Sequence, residues 1–421
     1  MERKKKTFCR TTGLALLAAA LLALCPAAGE AASLADILKE KGVITSAEYQ
    51  QATKDQPIVS YQAGKGLTVE SADGNSKLQI GGWAQLWYVY TDADKSSGES
   101  SNNIRARNFK LALKGTLFSK NIGYKYQADL AKGFTTEDLY LNYKFGAPLM
   151  VQVGQFKPPQ SRQELTSLAK QLFVNRSLAN DTFDLGRDTG VQASGAFWKK
   201  LLEYRLGVFD GNGPNTNNPD NRMMLAGRID INPLGPVPLD EAAWYSEKPL
   251  LNVGGSVAYE KMGPNDVGTK FNTDDDVLDV ALNLDGLTST SFTAAYGSDL
   301  SWLLRTVNAD AYWLGCSLAA EYYALTASPQ LGSDWNADGY YVQAGYQIIP
   351  QKLEVGARYS AIKSTDDNAS AKFDKNETQF GANYYFAKHN LELQADFTLV
   401  NDNLNDGKDD RVFRMQAQFY F

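Results

Sequence analysis

The chain has 421 residues, 21% of them charged and 43% hydrophobic, with a formal net charge of −6 and one histidine, His389. The acidic balance argues against nucleic acid as a partner. A lone histidine leaves no His-based metal site and no Ser/His/acid triad, so neither a cofactor nor enzyme chemistry is expected.

In chain order, the first ten residues carry Arg3, Lys4, Lys5, Lys6 and Arg10, followed by an apolar run from Gly13 to Leu24 and small residues at Gly29 and Ala31. A basic head, a short apolar core and a small-residue site spell a cleaved signal peptide over 1–31. The run falls short of the roughly 20 residues of a spanning helix, and no later stretch supplies one. Cys9 and Cys25 leave with the peptide, so Cys316 stays alone and no internal disulfide is expected.

Residues 32–54 read as a periplasmic helical hairpin. Leu34, Ile37 and Leu38 share one helical face, Gly42 ends the first helix, and Thr45 to Glu48 (TSAE) form a capping box opening the second. Residues 55–77, with Pro57, Gly64, Gly66 and Gly74, read as a linker.

From Leu78 to Phe421 the period is two. In FKLALKGTLF, Phe109, Leu111 and Leu113 oppose Lys110, Ala112 and Lys114; in DLYLNYKF, Leu139, Leu141, Tyr143 and Phe145 oppose Asp138, Tyr140, Asn142 and Lys144. The last segment, RVFRMQAQFYF, puts Phe413, Met415, Ala417, Phe419 and Phe421 on one face and Arg414, Gln416, Gln418 and Tyr420 on the other. Short connections near Gly146–Pro148, Lys199–Leu201, Asp285–Gly286, Pro350 and Ala387–Asn390 alternate with long polar ones. Strands of roughly ten residues in this rhythm describe an all-β chain, a closed antiparallel transmembrane β-barrel of 16–18 strands. Counting turns gives 18. Closure satisfies every backbone group in lipid. Phe421 then belongs to the closing strand, paired to the first strand near Leu78, with Phe419 and Phe421 facing the lipid of a Gram-negative outer membrane.

Between Ile80 and Val191, the segments IGGWAQLWYVY, RNFKLALKGTLF, IGYKYQADL, DLYLNYKF, VQVGQFKPPQSRQELTS and NRSLANDTFDLGRDTGVQ resemble the phosphate-selective porin O and P family. The resemblance implies a homotrimeric outer-membrane channel of 16 strands, narrowed by inward-folded loops and lined by arginines and lysines that bind anions. No phosphate-binding role carries over residue by residue.

The segment 157–188, between the fifth and sixth expected strands, reads as the longest loop and the constriction. It carries Lys157, Arg162, Lys170, Arg176 and Arg187 against Glu164, Asp181, Asp184 and Asp188. Alternation turns Lys110, Lys114, Lys125, Lys144, Arg205 and Arg228 inward, since a basic side chain facing mid-bilayer lipid costs about 2–4 kcal/mol. These residues, with Arg162, Lys170, Arg176 and Arg187, are the candidate pore-lining, anion-binding set. Glu203, Asp230, Asp279, Glu321, Glu354, Glu392 and Asp396 share the inner face and oppose anion preference. The reading is a porin for small hydrophilic solutes with mild preference for anions such as phosphate. The alternative is a structural or adhesive barrel that ties the envelope together through its N-terminal helices.

Overall fold

The computed structural model describes residues 34–53, 56–93, 99–131, 133–266, 282, 287–364, 372–404 and 409–421. The expected signal peptide and Asp279 lie outside them. The chain divides into two units, 1–56 and 57–421. In the first, helices Leu34–Glu40 and Ser46–Thr53 form the hairpin. The Thr45 N–H donates to the Glu48 carboxylate at 2.7 Å and the Glu48 N–H to Thr45 Oγ1 at 3.2 Å, which is the capping box. Gly42, at φ 67°, supplies the left-handed turn after the first helix.

Among the described residues the second unit contains eighteen strands in one sheet. They are β1 Ile58–Gln62, β2 Gly66–Glu70, β3 Lys77–Asp92, β4 Ser101–Leu117, β5 Ser119–Asp129, β6 Thr135–Gly146, β7 Leu149–Phe156, β8 Asp188–Phe197, β9 Leu202–Phe209, β10 Met224–Ile231, β11 Leu250–Met262, β12 Leu300–Trp313, β13 Cys316–Pro329, β14 Trp335–Ile349, β15 Leu353–Ser364, β16 Asp374–Tyr385, β17 Leu391–Asp402 and β18 Asp410–Tyr420. The sixteen strands β3 to β18 pair antiparallel in sequence, and β18 closes on β3 from Arg411↔Asp92 to Tyr420↔Trp83. Gly82 and Phe421 exchange both backbone hydrogen bonds at 3.0 Å, so closure reaches the last residue.

The structure refines several expectations. The closing strand pairs with β3, the strand that begins beside Leu78, from Gly82 upward; below it, β2 takes the same edge through Leu67↔Ile80 to Glu70↔Lys77. The segment read as a linker is therefore partly the β1–β2 hairpin, which covers backbone groups left open below the chain end. The count of 18 exceeds the barrel by two. The turn expected at Asp285–Gly286 lies outside the described residues, and the segment after it is a helix, Ser289–Tyr296, started by a Thr288 capping box. The β11–β12 connection, 263–299, is consequently longer than 157–187.

The walls invert the pattern of a soluble protein. On β14, Gln343 is 3% exposed and faces inward, while its outward neighbours Val342 and Tyr346 are 46% and 52% exposed. Phe421 contacts outward Phe109 and Phe419 at ring-centroid distances of 5.7 and 6.4 Å, which puts the terminal aromatic on the lipid side. Polar inner side chains are buried because the lumen is occupied.

Candidate functional site

The filling is mainly the connection from β7 to β8, residues 157–187, folded into the barrel. Three serines organise it locally. Ser161 caps the turn Arg162–Leu165, Ser167 caps Leu168–Lys170 and Ser177 caps Leu178–Phe183, each side chain accepting from an N–H of the first turn. Phe183 then stacks on Tyr323 of β13, with centroids 5.6 Å apart, inside an apolar cluster that includes Phe156, Phe209 and Trp302.

The wall grips this loop through carboxylates. Glu321 accepts from the Arg162 N–H (2.9 Å), the Gln163 N–H (3.2 Å) and Ser161 Oγ (3.0 Å). Glu377 accepts from the Leu178 N–H and Asp396 from the Val174 N–H, both at 3.0 Å. Arg358 answers in the other sense, donating to the carbonyls of Asn175 and Arg176. Backbone groups buried between the loop and the wall need partners, and these wall residues supply them. Of the acidic side chains that read as competitors for the pore, Glu321 and Asp396 are thus covered by the loop.

The candidate residues divide by their partners. Arg228 pairs with Asp230 at 2.7 Å and is 1% exposed; Arg205 shares Asp230 at 3.3 Å. Arg162 pairs with Asp310 at 3.0 Å under the loop, at 6% exposure. Arg162 and Arg228 therefore do not line open space, because each is buried between wall and loop. Arg176 binds Glu164 at 2.6 Å and Lys170 meets Asp240 at 3.6 Å. Lys110 pairs with Glu137, and Lys125 with Asp138 at 2.6 Å. Arg187 bridges the two strand carboxylates, at 2.8 Å from Asp138 and 3.4 Å from Glu137. Lys114 and Lys144 have no carboxylate within ion-pair distance among the described residues.

Two bulges add side chains that period two misses. β6 slips by one residue opposite Gln127–Ala128, so Glu137 joins Asp138 on the inner side. β4 slips opposite Gln85–Leu86, and Arg107 lies over the Trp87 ring, 5.2 Å from its centroid. Open space remains on this side of the barrel. A cavity of about 210 Å³ lies between the loop and the β3–β6 wall, lined among others by Trp83, Arg107, Lys110, Glu137, Lys157 and Arg187. Nearer the chain-terminal end, a hollow of about 310 Å³ is lined by Lys77, Gln79, Lys114, Lys125, Tyr140 and Asn142.

Within the loop the charges are unequal. Against the effect of burial, Arg176 and Lys157 hold the Glu164 carboxyl below its ordinary value. Burial, with Glu164 beside it, pushes Asp184 well above.

Replacing Arg187 by Met should leave Glu137 and Asp138 sharing only Lys110 and Lys125. We expect a loss of about 2 kcal/mol, below the fully buried case because Arg187 retains 15% side-chain exposure. The readout is a lower temperature for loss of the folded band on heat-modified gel electrophoresis; an unchanged temperature contradicts it.

Comparison with known proteins agrees with this geometry. A protein of Aquifex aeolicus (strain VF5) is 26% identical over 303 residues, covering 67% of each chain. An anion-selective porin from Comamonas acidovorans superposes with a TM-score of 0.58 at 12% identity, over 82% of this chain and 100% of that one. OmpT of Vibrio cholerae, in a trimer form, gives 0.53 at 13% identity, over 82% and 100%. The model of the family Phosphate-selective porin O and P matches residues 80–421. A closed sixteen-strand wall, a lumen narrowed by the connection after its fifth strand and this match over the barrel have one reading: the chain belongs to the phosphate-selective porin O and P family of outer-membrane channels for small solutes.

Proposed function

We propose that this porin passes small hydrophilic solutes along the β3–β6 wall with mild anion preference. One observation carries the reading: Glu321, Glu377 and Asp396 are engaged by the backbone of the inserted loop, whereas Lys114 and Lys144 face the lumen without a carboxylate partner among the described residues. Fixed charge at the surviving passage, rather than the acidic total of the chain, sets the potential an ion meets. The hollow around Lys77, Lys114 and Lys125 attracts small anions, phosphate among them, and weak multiple contacts let them leave. Lys110, Arg176 and Arg187, each held by a carboxylate, shape the bore and contribute less net field. The chain functions as a homotrimer in outer-membrane lipid after removal of residues 1–31, with the helical hairpin 32–54 on the periplasmic side. The anion-selective porin of similar fold supports this preference.

The test is the reversal potential of the purified protein in a planar bilayer under a potassium chloride gradient. The sign expected is that of chloride. A potassium sign replaces this reading with a cation-preferring or general porin.

A further inference from the structure

Most connections at the chain-terminal end of the barrel are tight, such as 147–148 and 314–315, but the one from β10 to β11 runs over 232–249. It enters the lumen from that end and meets the inserted loop. The Glu241 N–H donates to the Lys170 carbonyl at 3.0 Å, and the Glu241 carboxylate accepts from the Leu172 N–H at 2.9 Å and from Gln163 Nε2 at 3.0 Å. Arg162 Nη2 donates to the Pro238 carbonyl at 3.0 Å. Glu241 is 5% exposed, so these bonds are shielded from water.

The same segment is anchored to the wall behind it. Asp240 lies 3.0 Å from His389 Nε2, and His389 Nδ1 lies 2.8 Å from Glu392. Against the cost of burial, the hydrogen bonds to Asp240 and Glu392 raise His389 to about 10, so near neutral pH both ring nitrogens donate. The Ala243 N–H donates to Glu354 at 2.8 Å, and Trp244 packs on the Tyr385 ring with centroids 4.8 Å apart.

We propose that the 232–249 connection is a second constriction element, inserted from the opposite mouth, and that Glu241 and Asp240 are positioning residues that set the bore by holding the 157–187 loop in place. The inference rests on the channel reading and is independent of anion preference. The loop is clamped from two sides: wall carboxylates hold its outer face, and the connection tethers it from the chain-terminal side. Each charge-assisted bond removed shifts the docked-to-released ratio of the loop by about tenfold or more.

The experiment uses the full-length protein with Glu241→Ala and, separately, Asp240→Ala. Single-channel conductance and exclusion of neutral polyethylene glycols of graded size are recorded, and folding is verified by heat-modified gel mobility. Glu241→Ala should admit larger polymers than the unmodified protein and show brief transitions to a higher conductance level; Asp240→Ala should do so more weakly. Asn232→Ala is the comparison. Asn232 lies in the same connection, but among the described residues its side chain bonds wall-side groups at Lys200, Glu203 and Asn252 and none of the inserted loop, so the exclusion size should stay unchanged. Lower heat stability of Glu241→Ala with an unchanged exclusion size assigns the segment a structural role only and overturns the proposal. Neutral polymers do not sense fixed charge, so a reversal potential of the wrong sign leaves this result standing, and the converse also holds.

Discussion

Deletion of residues 159–185, with Pro158 joined to Gly186 through a short glycine-serine linker, should raise single-channel conductance severalfold and turn the pore toward cations. Phe156 and Asp188 are already paired neighbours at the ends of β7 and β8, so the wall needs no adjustment to accept a short link. The conductance change follows from emptying the lumen. The selectivity change follows from what the loop now covers. Glu321, Glu377 and Asp396 each accept a backbone N–H of the loop, and removal returns all three carboxylates to water inside the bore. Arg162, Arg176 and Lys170 leave with the deleted segment, and Arg228 loses its bond to the Gln160 carbonyl but keeps Asp230. Glu377 keeps Arg358 and Asp396 keeps Arg414, so the shift toward acid comes from Glu321, which loses its loop donors, and from Asp310, which loses Arg162. A folded variant with unchanged conductance would show that the loop does not limit flow. Raised conductance with retained chloride preference would show that the β3–β6 lysines dominate even an empty barrel.

Replacing Lys114 and Lys144 together by glutamine should lower the anion/cation permeability ratio by about two- to fivefold at low salt, given a unit-charge interaction of about 1 kcal/mol at 4 Å in water. These two are chosen because no carboxylate compensates them among the described residues. Neutralising Lys110 instead would remove one cation from a cluster in which Glu137 keeps Arg187 and Gln127. Both lysines lie toward the chain-terminal mouth, where water screens them, so the effect should shrink as potassium chloride is raised and the Debye length falls from about 10 Å at 0.1 M to about 3 Å at 1 M. Conductance at high salt should stay near that of the unmodified protein. An unaltered ratio at low salt would place the selectivity filter elsewhere, with Lys157 and Arg187 in the upper cavity as the next residues to neutralise.

The sequence by itself determined the wall. Alternation at i and i+2 is local, and it distinguishes a lipid-facing Phe419 from a lumen-facing Gln418 without reference to any distant residue. It also determined where the inserted loop would leave the wall, because two strong alternating runs flank an interval too long for a turn. Tertiary structure decided what fills the lumen and which charges remain free. Ser161 meets Glu321, and Val174 meets Asp396, across sequence separations of 160 and 222 residues that no local period encodes. The bulge that turns Glu137 inward needs the register of β5 against β6. The β1–β2 hairpin takes the edge of β3 from Lys77 to Ile80, next to the residues that β18 pairs, a meeting of distant segments that no local pattern encodes. The entry of 232–249 likewise depends on donors and acceptors distant in sequence, among them Leu172, Glu354 and His389. A side chain's facing is a property of its own strand; its net charge in the pore depends on which partner the fold brings to it.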